Sequence, residues 1–276
     1  MKFSIALLAT ILSASEVFAA PGTALRKARY AKRAAGQRGS KPFQSANNTA
    51  TVEGPDGIDA ATQSTNWAGA ALVGSGYTGI TGTFTVPSVQ LPSGGNSGTA
   101  YSASAWVGLD GYTCGSAILQ TGIDFTLQNG RTTYDAWYEW YPDYAYDFSG
   151  ISFSAGDSVT VTIKATSKTG GTATVKNNSK GTSVTHTFTG QGASLCETNA
   201  EWIVEDFEEI SGNTQQQVPF VNFGSVTFTG ASASTAGGSV GITNADSVNM
   251  ISQSNRNEVI AATTIQSSSS VKITYQ

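Results

Sequence analysis

The sequence predicts an all-β protein, a sandwich of two antiparallel sheets of the jelly-roll or lectin-like type. Three observations predict it. From Asn66 onward, short runs of Val, Ile, Thr, Phe and Tyr are punctuated by Gly, Ser, Pro and Asn, the spacing of a sandwich or barrel. No helical periodicity lasts beyond a turn or two. Several runs alternate between an apolar and a polar parity, as half-buried strands do.

The 276-residue chain divides into three stretches. Residues 1–20 combine Lys2, an apolar run and the small residues Ala14, Ala19 and Ala20, the pattern of a secretory signal peptide. That run is too short to span a bilayer, and no later stretch is a transmembrane candidate. An exported, extracellular protein is expected. Residues 21–60 lack apolar periodicity and concentrate seven cations between Arg26 and Lys41 with no acid among them. They read as an unstructured, removable basic prosegment and linker, with a glycosylation sequon at Asn47. Residues 61–276 form the main domain. It has seven Lys and Arg against fifteen Asp and Glu, a net charge near −8. That balance argues against nucleic-acid or anionic-membrane partners.

Strands are expected over 70–73, 82–86, 103–109, 117–125, 134–141, 158–165, 172–176, 183–188, 201–207, 223–228 and 270–275. Residues 168–181 read as a hairpin region with a second sequon, at Asn177. Residues 232–241 read as a small-residue loop, and 246–252 as a short turn of helix.

Parity gathers the polar residues. Ser104, Trp106, Gly108 and Asp110 share one face, opposite Ala105, Val107 and Leu109. Gln120, Gly122 and Asp124 share a face opposite Leu119, Ile123 and Phe125. Asp135, Trp137, Glu139 and Tyr141 do the same in the next run. The densest acidic stretch, 199–209, puts Glu201, Ile203, Glu205 and Phe207 on one parity. Neighbouring strands of this kind would build one concave surface of carboxylates, amide, Gly and indoles, suited to an extended polymer. The alternative for 199–209 is an exposed acidic edge that blocks aggregation.

The available chemistry is narrow. The lone His186 has no partner acid or nucleophile nearby in sequence, which argues against Ser-His-Asp and Cys-His catalysis. Zinc ligands and a phosphate-binding Gly loop are absent, as is the paired signature of aspartic peptidases. Carboxylate chemistry, assisted by an amide and without metal or cofactor, remains. Cys114 and Cys196 fit one disulfide in an oxidising compartment. Closing that loop stabilises by roughly 4–5 kcal/mol in the chain-entropy model.

Four blocks, in order and with fitting spacing, carry a resemblance: Trp106-Val-Gly-Leu-Asp110-Gly111, Ile118-Leu-Gln120-Thr-Gly122, Tyr134-Asp-Ala-Trp-Tyr-Glu139-Trp-Tyr-Pro142 and Asn199-Ala-Glu201-Trp-Ile-Val-Glu205. The chain from about Asn66 to its C-terminus resembles the glutamic peptidases, the eqolisin family of secreted fungal acid endopeptidases. The resemblance implies a two-sheet sandwich and a Gln/Glu dyad, here Gln120 and Glu201. It implies substrate contacts from Trp67, Gly69, Trp106, Asp110, Gly111, Gly122, Asp124, Asp135, Trp137, Glu139 and Tyr141. Polypeptide substrates are the expected partners of a monomer, insensitive to pepstatin, with the prosegment as its own pH-sensitive inhibitor. Two alternatives are a jelly-roll glycosidase using Glu139 and Glu201 as paired acids, and a non-catalytic lectin-like module.

Overall fold

The computed structural model describes residues 37–46, 61–211 and 214–276. The expected signal peptide, residues 1–20, most of the basic stretch after it and Asn47 lie outside these residues. The described residues contain strands and no helix.

The chain opens with β1 (Gln37–Gly39), β2 (Thr62–Ser64), β3 (Trp67–Val73) and β4 (Gly79–Thr85). Long strands follow: β5 (Tyr101–Leu109), β6 (Ile118–Gln128) and β7 (Arg131–Tyr141), then the short β8 (Tyr146–Asp147). Next come β9 (Ser158–Ser167), β10 (Gly170–Asn177), β11 (Thr182–Phe188) and β12 (Asn199–Glu205). The chain continues through β13 (Glu208–Ser211), β14 (Thr214–Gln217), β15 (Ser225–Thr235) and β16 (Gly238–Val240). It closes with β17 (Asp246–Ile251), β18 (Val259–Ser267) and β19 (Ser270–Tyr275).

The main ladder runs β11-β10-β9-β4-β15-β19-β18-β17-β3-β12-β5-β6-β7-β8. Along it every neighbouring pair is antiparallel; β2 joins β17 in parallel. The ladder folds back on itself, with β9 and β10 against β6, β4 and β9 against β5, and β15 and β4 against β12. The result is the predicted sandwich. Its core takes Val107, Leu109, Leu119, Ile123, Phe125, Trp202 and Val204 from one layer, against Ile80, Phe84, Val161, Ile163, Phe228 and Ile273 from the other. Each such side chain stabilises the fold by roughly 1.5–3 kcal/mol. The indole N–H of Trp202 crosses the layers to donate to the Thr81 carbonyl at 2.8 Å.

One alternative is excluded and two local expectations are corrected. The acidic stretch is no exposed edge: β12 lies between β3 and β5 and every residue of it is buried. Residues 246–252 form strand β17 instead of a helical turn, with Val248 and Met250 of one parity buried. The loop at 232–241 is the end of β15 paired with β16.

Two loops meet where β5 ends and β12 begins. Asp110 leaves the strand with φ +67° and turns its buried carboxylate onto the backbone of 196–199. It accepts N–H bonds from Cys196, Glu197, Thr198 and Asn199 at 2.8–3.2 Å and one from the Thr198 hydroxyl. In return, Asn199 Oδ1 accepts from the backbone of Thr113 and Cys114 and from the Thr113 hydroxyl. The expected disulfide, Cys114–Cys196, joins the same two loops, its Cα atoms 6.4 Å apart.

Bonds of backbone N–H to a charged acceptor are stronger than neutral ones, and an amide nitrogen in that place would face donors. Asp110→Asn is therefore expected to destabilise the fold by about 3 kcal/mol, read as a lowered urea midpoint at unchanged m-value. An unchanged midpoint would show that the clamp contributes nothing.

A carboxamide–carboxyl cleft

The outward faces of β3, β12, β5, β6 and β7 lie in register. Ala71, Glu201, Gly108, Gln120 and Glu139 form one row across the five strands. Gly69, Ile203, Trp106, Gly122 and Trp137 form the next. Trp67, Glu205, Ser104, Asp124 and Asp135 form the third. The strands whose polar parities were read from sequence are thus neighbours, and their polar faces make one surface. A second apolar cluster of Trp67, Trp106, Ile118, Trp137, Ile203 and Val248, with Tyr141 packed beside it, sits on that surface.

Gln120 and Glu201 flank Gly108. Strands lie about 4.8 Å apart, so the two backbones are about 10 Å apart, and the residue between them carries no side chain. A Cβ on Gly108 would lie 2.8 Å from Cζ3 of Trp106 and 3.3 Å from Cβ of Gln120. The gap exists because this residue is glycine. Both side chains are fully buried, and neither the amide atoms of Gln120 nor the carboxyl oxygens of Glu201 have a hydrogen-bond partner. Buried polar groups are normally satisfied. Two unsatisfied ones aimed across a gap leave room for a water or a carbonyl group. Glu139 lies three strand spacings from Glu201, about 14 Å between backbones. Two strands, β5 and β6, therefore stand between these acids, and the neighbour of Glu139 in the row is Gln120.

Burial dominates the electrostatics. It raises Glu201 well above the usual carboxylate range, and the charge of Asp110 adds to the rise. The nearby backbone N–H of Tyr112, short of hydrogen-bond geometry to Glu201, offsets part of it. Glu139 is also raised, by burial first and by Glu205, against the opposing pull of Arg38 and Ser40. Glu205 is pushed up to about 7 by burial, opposed by Arg38 and by hydrogen bonds from Ser40 and Trp67. Asp206 is raised by burial and by its neighbours Glu205 and Glu208.

The leader lies in this cleft. Arg38 Nε contacts Asp124 Oδ2 at 2.8 Å, and Nη1 lies 3.5 Å from Glu139. Its guanidinium sits 3.9 Å above the Trp137 ring and 4.4 Å from that of Phe207, a cation–π arrangement. Ser40 donates its N–H to Glu139 and its hydroxyl to Glu205. Lys41 pairs with Glu208 at 2.7 Å, and Phe43 packs edge-on against Trp67 and Tyr112. A stretch read as unstructured thus has ten residues, 37–46, seated on the domain.

The other predicted site residues divide by place. Trp67, Trp106 and Trp137 are wholly buried among the rows; their indole N–H groups donate to Glu205, Glu205 and Ser104 respectively. Asp135 ends the third row and lines a groove of about 420 Å³ with Phe148 and Phe153, a groove that neither Gln120 nor Glu201 lines. Asp110 does not face the cleft: β5 ends at Leu109, and the carboxylate serves the clamp. Gly69 and Gly122 are spacers, because a Cβ on either would collide with strand backbone. Gly111, at φ +114°, turns beside Trp67 and Ile118. Asn177 is corrected as a glycosylation site. It is wholly buried, and its amide donates to the Ser152 carbonyl and to Asp157. No cluster of metal-ligating side chains occurs among the described residues. Parity places Gly108 and Glu205 on the cleft face without giving either a role, and it offers no signal for Asn199, which acts through the loop of Thr113 and Cys114.

Four buried acids with raised pKa favour a protonated fold. A group raised on folding gives its full stabilisation below its unfolded value and loses it as pH rises through the folded one. His186, lowered by burial, and Asp157, lowered against the pull of burial by hydrogen bonds from Asn177 and Ser154 and by Lys180, act in the opposite sense. Stability is therefore expected to be highest in acid and to decline from about pH 4.5 through about pH 7, where Glu205 titrates. A melting-temperature scan from pH 2 to 8 checks this, and a maximum at the alkaline end would contradict it.

Comparison with known proteins agrees with this geometry. The chain is 53% identical over 256 residues to aspergillopepsin-2 of Aspergillus niger, covering 87% of this chain and 89% of that protein. It is 45% identical to scytalidopepsin B of Scytalidium lignicola, covering 91% and 92%. The crystal structure of scytalido-glutamic peptidase with a transition-state analogue inhibitor superposes with a TM-score of 0.69 at 42% identity, covering 77% of this chain and 98% of that one. The model of the peptidase A4 family matches residues 65–275, and the chain belongs to that family, the glutamic peptidases.

Proposed function

We propose that the gap above Gly108 is the catalytic centre of a secreted acid endopeptidase, with Gln120 and Glu201 as its dyad. The observation that carries this reading is the pair of buried, unpartnered groups facing one another across a glycine. Ionised Glu201 takes a proton from a water whose oxygen attacks the peptide carbonyl carbon. Burial favours the neutral carboxyl so formed, which then gives the proton to the departing amine as the C–N bond breaks. Gln120 is neutral at every pH; its amide N–H donates to the developing oxyanion and its carbonyl orients the water. Neither metal nor cofactor enters, and pepstatin is expected not to inhibit. That a solved relative, a glutamic peptidase, takes a transition-state analogue inhibitor supports the reading as a peptidase.

The reading extends to the leader as an intramolecular inhibitor. Support comes from Arg38, Ser40 and Lys41 holding four acids of the cleft. The likeness to the curated relatives also spans more of the chain than the family model's 65–275, and so reaches into the leader. No described contact joins the leader to Gln120 or Glu201, which agrees with a segment that blocks the cleft without being cut. Acidification neutralises the carboxylates, the attraction fades, and the leader is released.

Gln120→Ala and Glu201→Gln are each expected to abolish casein digestion at acid pH in the presence of pepstatin, with the fold retained. Losing one oxyanion donor alone costs about 10²–10³ in rate. Near-wild-type turnover by Gln120→Ala would overturn the dyad.

A synthetic peptide covering residues 24–43 is expected to bind the mature enzyme near pH 6 and to lose affinity towards pH 3 and in high salt. Replacing Arg38, 7% exposed, should weaken binding at least about tenfold. Replacing Lys41, 37% exposed, should change it less than about threefold. Equal affinity at both pH values would sink the electrostatic latch.

A further inference from the structure

The leader does more than occupy the cleft. Its residues Gln37–Gly39 add a strand to a small sheet of order β1-β13-β14. Gln37 lies against Ile210, Arg38 against Glu209 and Gly39 against Glu208, antiparallel. The other edge of β13 is taken by β14. Without the leader, β13 therefore presents an open row of backbone donors and acceptors, a ready template for another extended chain.

We propose that this edge of β13 binds the main chain of the polypeptide substrate by antiparallel strand addition, replacing β1. The inference rests on the peptidase reading above. Three observations support it. First, the edge leads to the chemistry: Ser40, next after β1, donates to Glu139 in the row of Gln120, and to Glu205 on the strand of Glu201. A chain laid on β13 thus reaches the row of the dyad at Glu139, one strand from Gln120. Second, the edge is held in place at its root. Gln217 Nε2 donates to the carbonyls of Thr65 and Asp206, and the Val218 N–H to that of Phe207. Third, β1 is held to β13 by main-chain pairing, which a peptide of another sequence can reproduce. Alternate side chains of the added strand would turn to the cleft, as Arg38 does.

The test uses the mature enzyme and a cleavable decapeptide carrying, one position at a time away from the scissile bond, an N-methyl amide or an ester in place of the amide. Alternate positions on one side of the scissile bond are expected to raise KM by about 3- to 10-fold, the effect of losing one ordinary hydrogen bond, with kcat within about twofold. In the Gln120→Ala enzyme, the bound parent peptide is expected to slow hydrogen exchange of the amides in 208–211, and the sensitive ester analogue to slow it less. Cleavage of the parent with every distal analogue within about twofold in KM, or unchanged exchange at β13 with peptide bound, overturns strand addition and leaves the peptidase reading standing. Failure of the parent peptide and of casein to be cut overturns the peptidase reading itself.

Discussion

Register is the constraint on which the site depends. Each strand beneath the cleft buries an apolar face in the sandwich core and a polar face under the cleft. A slip of one residue would exchange the two. In β6 it would put Gln120 and Asp124 among Phe84, Val161 and Phe228, and lift Leu119, Ile123 and Phe125 into the cleft. Each misplaced apolar side chain alone would forfeit roughly 1.5–3 kcal/mol. The core thus fixes which residues face Gly108, though none of its side chains touches the chemistry. Placement on strands also gives the dyad a rigidity that loops would not.

The ends of the two strands next to that gap are held as well. Asp110, the Cys114–Cys196 disulfide and Asn199 join the loop after β5 to the loop before β12. Gly108 lies two residues before Asp110, and Glu201 two after Asn199. Sliding of β12 along β5 would break charge-assisted backbone bonds and a covalent one together. Trp106, on the strand of Gly108, closes on the same glycine: its ring abuts the space above Gly108, and its indole N–H is tied to Glu205 at 3.0 Å. Trp67, edge-on to it at 5.0 Å, donates to the same carboxyl. One buried acid therefore orients two indoles, which is what a fully desolvated carboxyl requires in exchange for leaving water.

Much of this was legible in the sequence, and the limits have physical causes. Parity worked for Trp106, Gly108, Gln120, Gly122, Asp124 and Glu139 because long antiparallel strands keep their alternation when paired without bulges. It failed at Asp110 because the strand stops one residue earlier and the backbone turns to φ +67°. Residues 246–252 misled because Asp246, Ser247 and Asn249 obscure the buried pair Val248 and Met250. Strand β18 was missed because its Ala-Ala-Thr-Thr stretch is half-buried and weakly patterned. Asn177 has the sequon but not the exposure, which a three-residue pattern does not encode. The seating of the leader was legible as charge complementarity only. Its contacts join residues far apart in the chain, such as Ser40 with Glu139 and Glu205.

The same buried acids explain why a basic leader and an acidic medium are alternatives. A charged carboxylate out of water is unfavourable unless a cation or donors accompany it. In the structure, Arg38 is that cation: it opposes the upward shift of both Glu139 and Glu205, and Ser40 adds donors to each. The leader thereby stabilises the cleft in a medium that would ionise it. In acid, protons do the same work, since a neutral carboxyl needs no counter-charge. Glu201 stands apart from this exchange. Its shift comes from burial and Asp110, and Arg38 is not among its causes. Leader and proton compete at the walls of the cleft, while Glu201 answers to burial and to Asp110.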